Sequence, residues 1–310
     1  MLYNKDAVMI YTIEPGLFKI EIDKKTTLSK FTLGSLSSWS VGSGTGPYLQ
    51  EISVKCCDFE LPEKWDFRRG SYFINNGIWY CSRNYKLVHF KFRYDRKSNT
   101  LEFYPIIFSK IPFVFNGFYP IGLEVGNILL YEMMKKGFLP IRACAFLHKG
   151  KTVLFIAPSM NGKTRLVKDL TKGNKNTTFI SDDIVLLNKS QLIGFPPLTS
   201  FIRRESRNFR LENDKKRFLF KNPDYIFYYN VSNTDGMEIS KDIINFPLIE
   251  TYFYFSESII SAIMYHEDTT LQNNLLDIYK HVSSCSKNYR IKTNGYNVEK
   301  IIFYLNEVIK

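Results

Sequence analysis

Val153-Leu-Phe-Ile-Ala157-Pro-Ser-Met-Asn-Gly162-Lys163-Thr164-Arg-Leu-Val is the stretch whose reading decides the fold. It passes from an apolar, strand-forming run through a short turn holding Pro and Gly into a segment with helical spacing. A strand, a tight turn and a helix in that order form the setting of a phosphate-binding loop. The first backbone N–H groups of a helix have no partner inside it, and together with the helix dipole they favour an anion. On this reading Ser159, Asn161, Gly162, Lys163, Thr164 and Arg165 line a nucleotide site. Lys163 reaches the β- and γ-phosphates, and the Thr164 hydroxyl helps to hold Mg²⁺. Two positions depart from the usual pattern, since Ala157 stands at the first glycine position and Met160 where a second glycine often occurs.

About twenty residues further on, Thr178-Phe-Ile-Ser-Asp182-Asp183-Ile-Val-Leu-Leu places two adjacent carboxylates inside an apolar strand pattern. Burying an unpaired carboxylate costs several kcal/mol, so such a pair needs compensation. A bound metal supplies it, and so does a Lys or Arg partner at a strand end. If residues 179–187 form one strand, alternation sends Asp182 and Asp183 to opposite faces. One is then available to accept a hydroxyl proton while the other binds Mg²⁺ or orients a neighbour.

Upstream, residues 152–156 follow a strand at 141–147 and a turn at Lys149-Gly150. Before these, residues 123–136 carry apolar Leu123, Ile128, Leu130, Met133 and Met134 and end at Lys135-Lys136-Gly137, the pattern of an amphipathic helix with a glycine stop. Residues 1–110 show short β-branched and aromatic runs at 8–13, 17–22 and 87–94 and read as antiparallel sheet, with 34–46 as a Gly/Ser-rich loop. Asn75-Asn76-Gly77 and Lys97-Ser98-Asn99 mark two hairpins. Downstream, residues 188–191 lead to a returning strand at 192–195, with strands at 225–231 and 251–255 and helices at 271–282 and 298–309. The expected organisation is a β-rich domain over 1–115 and an α/β (α+β) catalytic domain over 116–310, with no internal repeat or low-complexity tract.

The chain has 310 residues and a formal charge of +12, enough length for one large or two ordinary domains and a bias towards anionic partners. The richest basic cluster is Arg203-Arg204-Glu-Ser-Arg207-Asn-Phe-Arg210 with Lys215-Lys216-Arg217, which is either a solvated face or a binding patch. Five scattered cysteines and four dispersed histidines show no zinc spacing and no Cys–His pair, and the thiols are expected reduced and mostly buried. No apolar run of about 18 residues and no signal-peptide layout occurs, so the expected location is the cytoplasm, without membrane association.

Taken together, Leu139-Pro-Ile-Arg142-Ala-Cys-Ala-Phe, the Ala157 to Thr164 loop and Ile180-Ser-Asp-Asp-Ile-Val resemble the catalytic core of the HPr kinase/phosphorylase-like family, which shares its fold with ATP-dependent phosphoenolpyruvate carboxykinase. The resemblance is clear over about residues 120–200 and looser to the C-terminus, where Tyr289-Arg-Ile and the last helix look like closing elements. It implies that Gly162, Lys163 and Thr164 bind ATP and Mg²⁺, and that Asp182 and Asp183 supply the base and the metal contact for transfer to a serine hydroxyl. Many members carry His where Arg142 stands, and an arginine there stabilises phosphate charge instead. The glycine-rich signature of true HPr kinases is absent downstream, which argues against HPr as substrate and towards shorter relatives such as lasso-peptide precursor serine kinases and free-serine kinases.

The expectation is therefore an ATP- and Mg²⁺-dependent serine kinase with Asp182, Asp183, Lys163 and Arg142 as catalytic residues and Thr164 and Asp183 as metal ligands. Arg203 and Arg204 are further candidates for neutralising phosphoryl charge. Its partner is a peptide or small protein bearing the acceptor serine, captured by the β-rich half, and a homo-oligomer is left open. The alternatives are a nucleotide-binding regulator without turnover and a free-serine or small-molecule kinase. A nucleic-acid-binding role rests on charge and aromatic content alone.

Overall fold

The computed structural model describes residues 8–13, 18–23, 40–41, 48–85, 88–104, 121–157, 162–173, 176–181, 184–195, 219–231, 237–241, 269–294 and 298–309. The fold is mixed α and β, rich in strands and with few helices. Its first sheet contains β1 (Val8–Ile13), β2 (Phe18–Asp23), β3 (Ser40–Val41), β4 (Gln50–Cys56), β5 (Phe67–Arg69), β6 (Tyr72–Asn75), β7 (Ile78–Tyr85), β8 (Val88–Asp95) and β9 (Thr100–Tyr104). They lie in the order β3-β1-β2-β4-β9-β8-β7-β6-β5.

Both expected hairpins form. Asn76 and Gly77 take positive φ between Asn75 and Ile78, the geometry a two-residue turn needs to match strand twist. At the second, Asn99 is left-handed, and Asp95 accepts hydrogen bonds from Lys97 N and Ser98 Oγ at 2.9 Å each. The sheet is not antiparallel throughout, because β4 runs parallel to both β2 and β9. A parallel pair needs a long connection, and the meander from β5 to β8 supplies the one between β4 and β9. The 34–46 segment, read as a loop, contributes β3, which pairs with β1.

One face of this sheet carries a core of Ile52, Val54, Trp79, Cys81, Phe92, Tyr94, Leu101 and Phe103 at alternate positions, while Phe73 and Tyr80 are buried with Phe59 in a separate cluster. Helix α1 (Ile121–Lys135) ends as expected. Gly137 at φ 79° closes a Schellman cap, with Gly137 N donating to Met134 O and Phe138 N to Met133 O, each at 3.0 Å. It is not amphipathic, however, because every residue from Glu124 to Met134 is buried. Its polar residues meet the tyrosines of the sheet. Tyr72 Oη donates to Glu124 at 3.2 Å, and Tyr94 Oη lies 3.3 Å from Glu132 and 3.1 Å from Asn99. Trp79 packs edge-on against Tyr131 at 4.4 Å. The first compact unit runs to Glu132 and the second begins at Met133; the expected boundary at 115 falls within 105–120, outside the described residues.

The second sheet holds β10 (Leu139–His148), β11 (Lys151–Ile156), β12 (Thr177–Ser181), β13 (Ile184–Leu187), β14 (Gln191–Phe195), β15 (Leu219–Lys221), β16 (Tyr225–Val231), β17 (Met237–Ser240) and β18 (Lys287–Thr293). The order is β15-β14-β13-β10-β11-β16-β18-β17, with β12 also paired to β10. Helices α2 (Lys163–Gly173) and α4 (Val298–Val308) share one apolar cluster with Phe155, Phe227, Tyr229 and Tyr289. Helix α3 (Thr269–Cys285) meets the opposite face, where Tyr228 and Tyr279 hydrogen-bond through their hydroxyls. Strand 225–231 and the two late helices thus agree with their sequence patterns, while 251–255 lies outside the described residues. None of the five cysteines forms a disulfide, and of them only Cys81 and Cys144 are fully buried. Among the described residues no helix is long and apolar enough to cross a membrane.

His148, fully buried at the end of β10, joins β12 to α4. Its Nδ1 lies 2.8 Å from Thr177 Oγ1 and its Nε2 2.9 Å from Asn306 Oδ1. Burial holds its pKa below the ordinary histidine value of 6.5. The unfolded chain therefore takes up a proton that the folded chain refuses, and stability is lost as pH falls through 6.5 towards the lower folded value. The melting temperature is expected to drop between about pH 7.5 and about pH 5.5, and part of that drop should vanish in His148→Gln, as checked by thermal unfolding at the two pH values.

Candidate functional site

Strands β11, β16 and β18 run parallel, with Ile156 opposite Tyr228 and Val231 opposite Thr293, so their carboxyl ends lie at one end of the sheet. Open α/β sheets bind ligands outside such ends. The amino ends are closed by Asp224, whose carboxylate accepts from Thr152 N at 2.8 Å and whose carbonyl accepts from Lys287 N at 3.0 Å.

The connection from β11 to α2 has the form expected of a phosphate loop on either side of residues 158–161, which lie outside the described residues and include Ser159, Met160 and Asn161. Gly162 has φ 79°, and its carbonyl accepts the first helical bond of α2, from Leu166 N at 2.9 Å. As the residue before the helix it has no side chain to occupy the amides of the first turn. Ala157 is fully buried in the apolar cluster beneath α2, where its methyl serves the core, and among the described residues of this connection Gly162 is left-handed. Lys163 opens α2. It is only 8 % exposed, and its Nζ donates to Ala157 O at 2.7 Å. Thr164 follows on α2. Arg165 sits on the exposed side of the helix, 3.7 Å from Asp169 one turn on.

Strand β10 ties this loop to the acidic pair. Along one edge Ala143 faces Ile156, the last residue of β11, and along the other Arg142 faces Ile184 and Ala145 faces Ser181. Half-buried Arg142 therefore stands one residue from the loop side of the ladder and directly across from the residue after Asp183. Asp182 and Asp183 themselves, like Arg203 and Arg204, lie outside the described residues, but both flanks of the acidic pair are fixed.

Those flanks depart from the expected single strand over 179–187. Phe146 faces Phe179 while Ala145 faces Ser181, so Ile180 is an extra residue in a β-bulge. Three steps along an extended strand cover about 10 Å. Yet Ser181 Oγ lies 2.7 Å from Ile184 O and 3.0 Å from Phe195 O, which a straight strand does not allow. The direction in which Asp182 and Asp183 point lies outside the described residues. Sequence reasoning missed Ser181 and, beside it, Gly194, where a Cβ would sit 2.8 Å from Ile180 O. The signal that could have found Gly194 is a lone glycine in an apolar strand pattern, which marks close backbone approach.

Among the described residues there is no group of three or more His, Cys, Asp or Glu side chains able to hold a metal. Mg²⁺ bound with nucleotide needs no such cage, since one or two carboxylates and the phosphate oxygens suffice. No protein-family model and no curated protein matches this chain.

The left-handed backbone at Gly162 gives a direct test of the loop. Gly162→Ala is expected to lower stability by about 1 kcal/mol or more, because an L-residue is strained at that φ, as read from the urea midpoint.

Proposed function

We propose that this chain is an ATP-dependent serine kinase with a catalytic core like that of the HPr kinase/phosphorylase family, acting on a hydroxyl of a peptide or small protein. The observation that carries the reading is the double pairing of β10. One ladder adjoins the Lys163 loop and the other the flanks of Asp182-Asp183, with Arg142 between them. A phosphoryl transferase needs cations at the phosphates and a carboxylate at the acceptor hydroxyl, held on one rigid element.

In this reading the seryl oxygen forms a bond to the γ-phosphorus as the bond from phosphorus to the ADP oxygen breaks. One of Asp182 and Asp183 accepts the hydroxyl proton and the other, with Thr164, binds Mg²⁺. Mg²⁺ supplies neutralisation of phosphate charge. Lys163 exchanges its contact with the Ala157 carbonyl for phosphate oxygens, and Arg142 stabilises charge on the transferring group. Ser159, Asn161 and the backbone around Gly162 cradle the phosphates, and a serine at a peptide end is the acceptor that fits the resemblance to lasso-peptide precursor kinases.

The test is incubation with Mg²⁺ and γ-labelled ATP, offering serine-ending peptides and free serine. Label is expected on an acceptor with the unchanged protein. Lys163→Ala should lose ATP binding, whereas Asp182→Asn should bind ATP and lose transfer by at least about a hundredfold. ATP binding without transfer to any acceptor would instead make the chain a nucleotide-dependent regulator, and absence of ATP binding ends the nucleotide reading.

A further inference from the structure

Among the described residues two large apolar side chains stand exposed, Trp65 at 44 % and Phe303 at 65 %. Trp65 is covered by neighbours, since the Arg68 guanidinium lies 4.9 Å from its ring centre and the Phe73 ring 5.8 Å away. Phe303, on α4, has no ring or cation partner among the described residues. It borders an open groove of about 560 Å³ between α4 and β17, the last strand of the second sheet in its described order. Because β17 alternates half-buried Met237 and Ile239 with exposed Glu238 and Ser240, its two apolar side chains share one face and form one wall of the groove. Phe303 and half-buried Tyr304 form the other.

The walls are apolar and the rim is acidic. Glu299, Phe303 and Glu307 stand at i, i+4 and i+8, so one face of α4 carries an exposed ring with a carboxylate one turn to either side. Helix stability accounts for Glu299, which lies at the positive end of the helix dipole. It does not account for Glu307, which lies in the last turn, where the dipole disfavours an anion and no basic residue offsets it. Neither carboxylate is ion-paired among the described residues, whereas Lys300, the one cation lining the groove, already has a partner.

This rim selects the occupant. A second copy of the chain would bring two such pairs of glutamates together, and like charges set against one another oppose association. A cationic segment meets both carboxylates with opposite charge. From Glu299 to Glu307 the helix rises about 12 Å, a length that about four residues of extended chain cover. In an extended segment every second side chain points the same way, so a large apolar residue with a basic residue two positions to either side matches the ring and both carboxylates at once. We propose that the groove between α4 and β17 docks an extended peptide of the pattern Lys/Arg-x-Φ-x-Lys/Arg, where Φ is a large apolar residue and x any residue. The apolar residue lies between Phe303 and the Met237–Ile239 wall, and the two cations reach Glu299 and Glu307. The docking is independent of the nucleotide reading.

The experiment follows the fluorescence anisotropy of the fluorescein-labelled peptide Gly-Ser-Lys-Thr-Phe-Thr-Lys-Ser-Gly mixed with the full chain, without nucleotide. The unchanged protein is expected to bind it saturably, and both Phe303→Ser and the double change Glu299→Gln, Glu307→Gln to weaken binding about tenfold or more. All three side chains are exposed, so these variants keep the fold. High salt should shrink the effect of the glutamine pair and leave that of Phe303→Ser. The double change Glu60→Gln, Glu63→Gln, equal in charge and exposed in the first unit, should leave binding as it was. Absence of saturable binding, or an equal loss from both glutamine pairs, overturns the proposal. Self-association of the unchanged chain that Phe303→Ser abolishes would overturn it too, by assigning the groove to a second copy. None of these results bears on ATP binding, so the nucleotide reading stands or falls separately.

Discussion

Strand β10 has to satisfy its backbone on both edges. Nearly all of its ten residues are buried, and a buried N–H or C=O without a partner costs about as much as a lost hydrogen bond. One edge is met by β11 and the other by β12 and β13, so three segments from different parts of the sequence are brought into register by one strand. The consequence reaches beyond stability. The end of β11 and the flanks of the acidic pair are placed by ladders, which fix position more tightly than loops do. Whatever chemistry this end of the sheet performs inherits its geometry from the backbone pairing of β10.

The first unit solves a different problem. A helix buried on all sides is expected to be apolar, yet α1 carries Glu124, Asn127 and Glu132 into the interior. Tyrosines make this tolerable, because each offers a large apolar ring and one hydroxyl at its tip. Tyr72 reaches Glu124 and Tyr94 reaches Glu132, while Arg96 lies 5.3 Å from the ring centres of both Trp79 and Tyr131. Burial, with Glu132 beside it, holds the Tyr94 hydroxyl protonated far above the usual phenol range, so it remains a donor at any physiological pH. This polar lining explains why the helix belongs with the aromatic sheet, and why the division of the chain falls at its end.

Legibility in the sequence followed locality. Hairpins at Asn76-Gly77 and Lys149-Gly150 were readable because positive φ restricts the residue types, and both sites have it. The glycine stop of α1 and the strand, loop and helix order around Gly162 were readable for the same reason. The parallel pairs of β4 were not, since they join strands separated by long connections and leave no mark on either strand. The buried character of α1 was hidden because its polar residues imitate a solvent face. For the site, the residue types of the loop and of the acidic pair could be found by spacing. The bulge at Ile180, the Ser181 tether and the room left by Gly194 arise only when β10, β12 and β14 come together.

Of the two irregular positions of the loop, Met160 lies outside the described residues, and the one at Ala157 becomes intelligible on physical grounds. A glycine is needed where φ is positive or where backbone must approach a ligand. Among the described residues of the loop the positive φ falls at Gly162, whereas Ala157 turns its methyl into the cluster shared by Leu166 and Val167. An alanine there adds core contact and takes nothing from the turn. Lys163 supports the same view. Its buried ammonium donates to the Ala157 carbonyl, which carries no net charge, and an ionised phosphate oxygen would add ion-pair attraction to the same kind of hydrogen bond. A phosphate reaching the start of α2 would therefore draw Lys163 from the carbonyl without having to move the helix. Among the described residues, the departure at Ala157 thus falls on a core position.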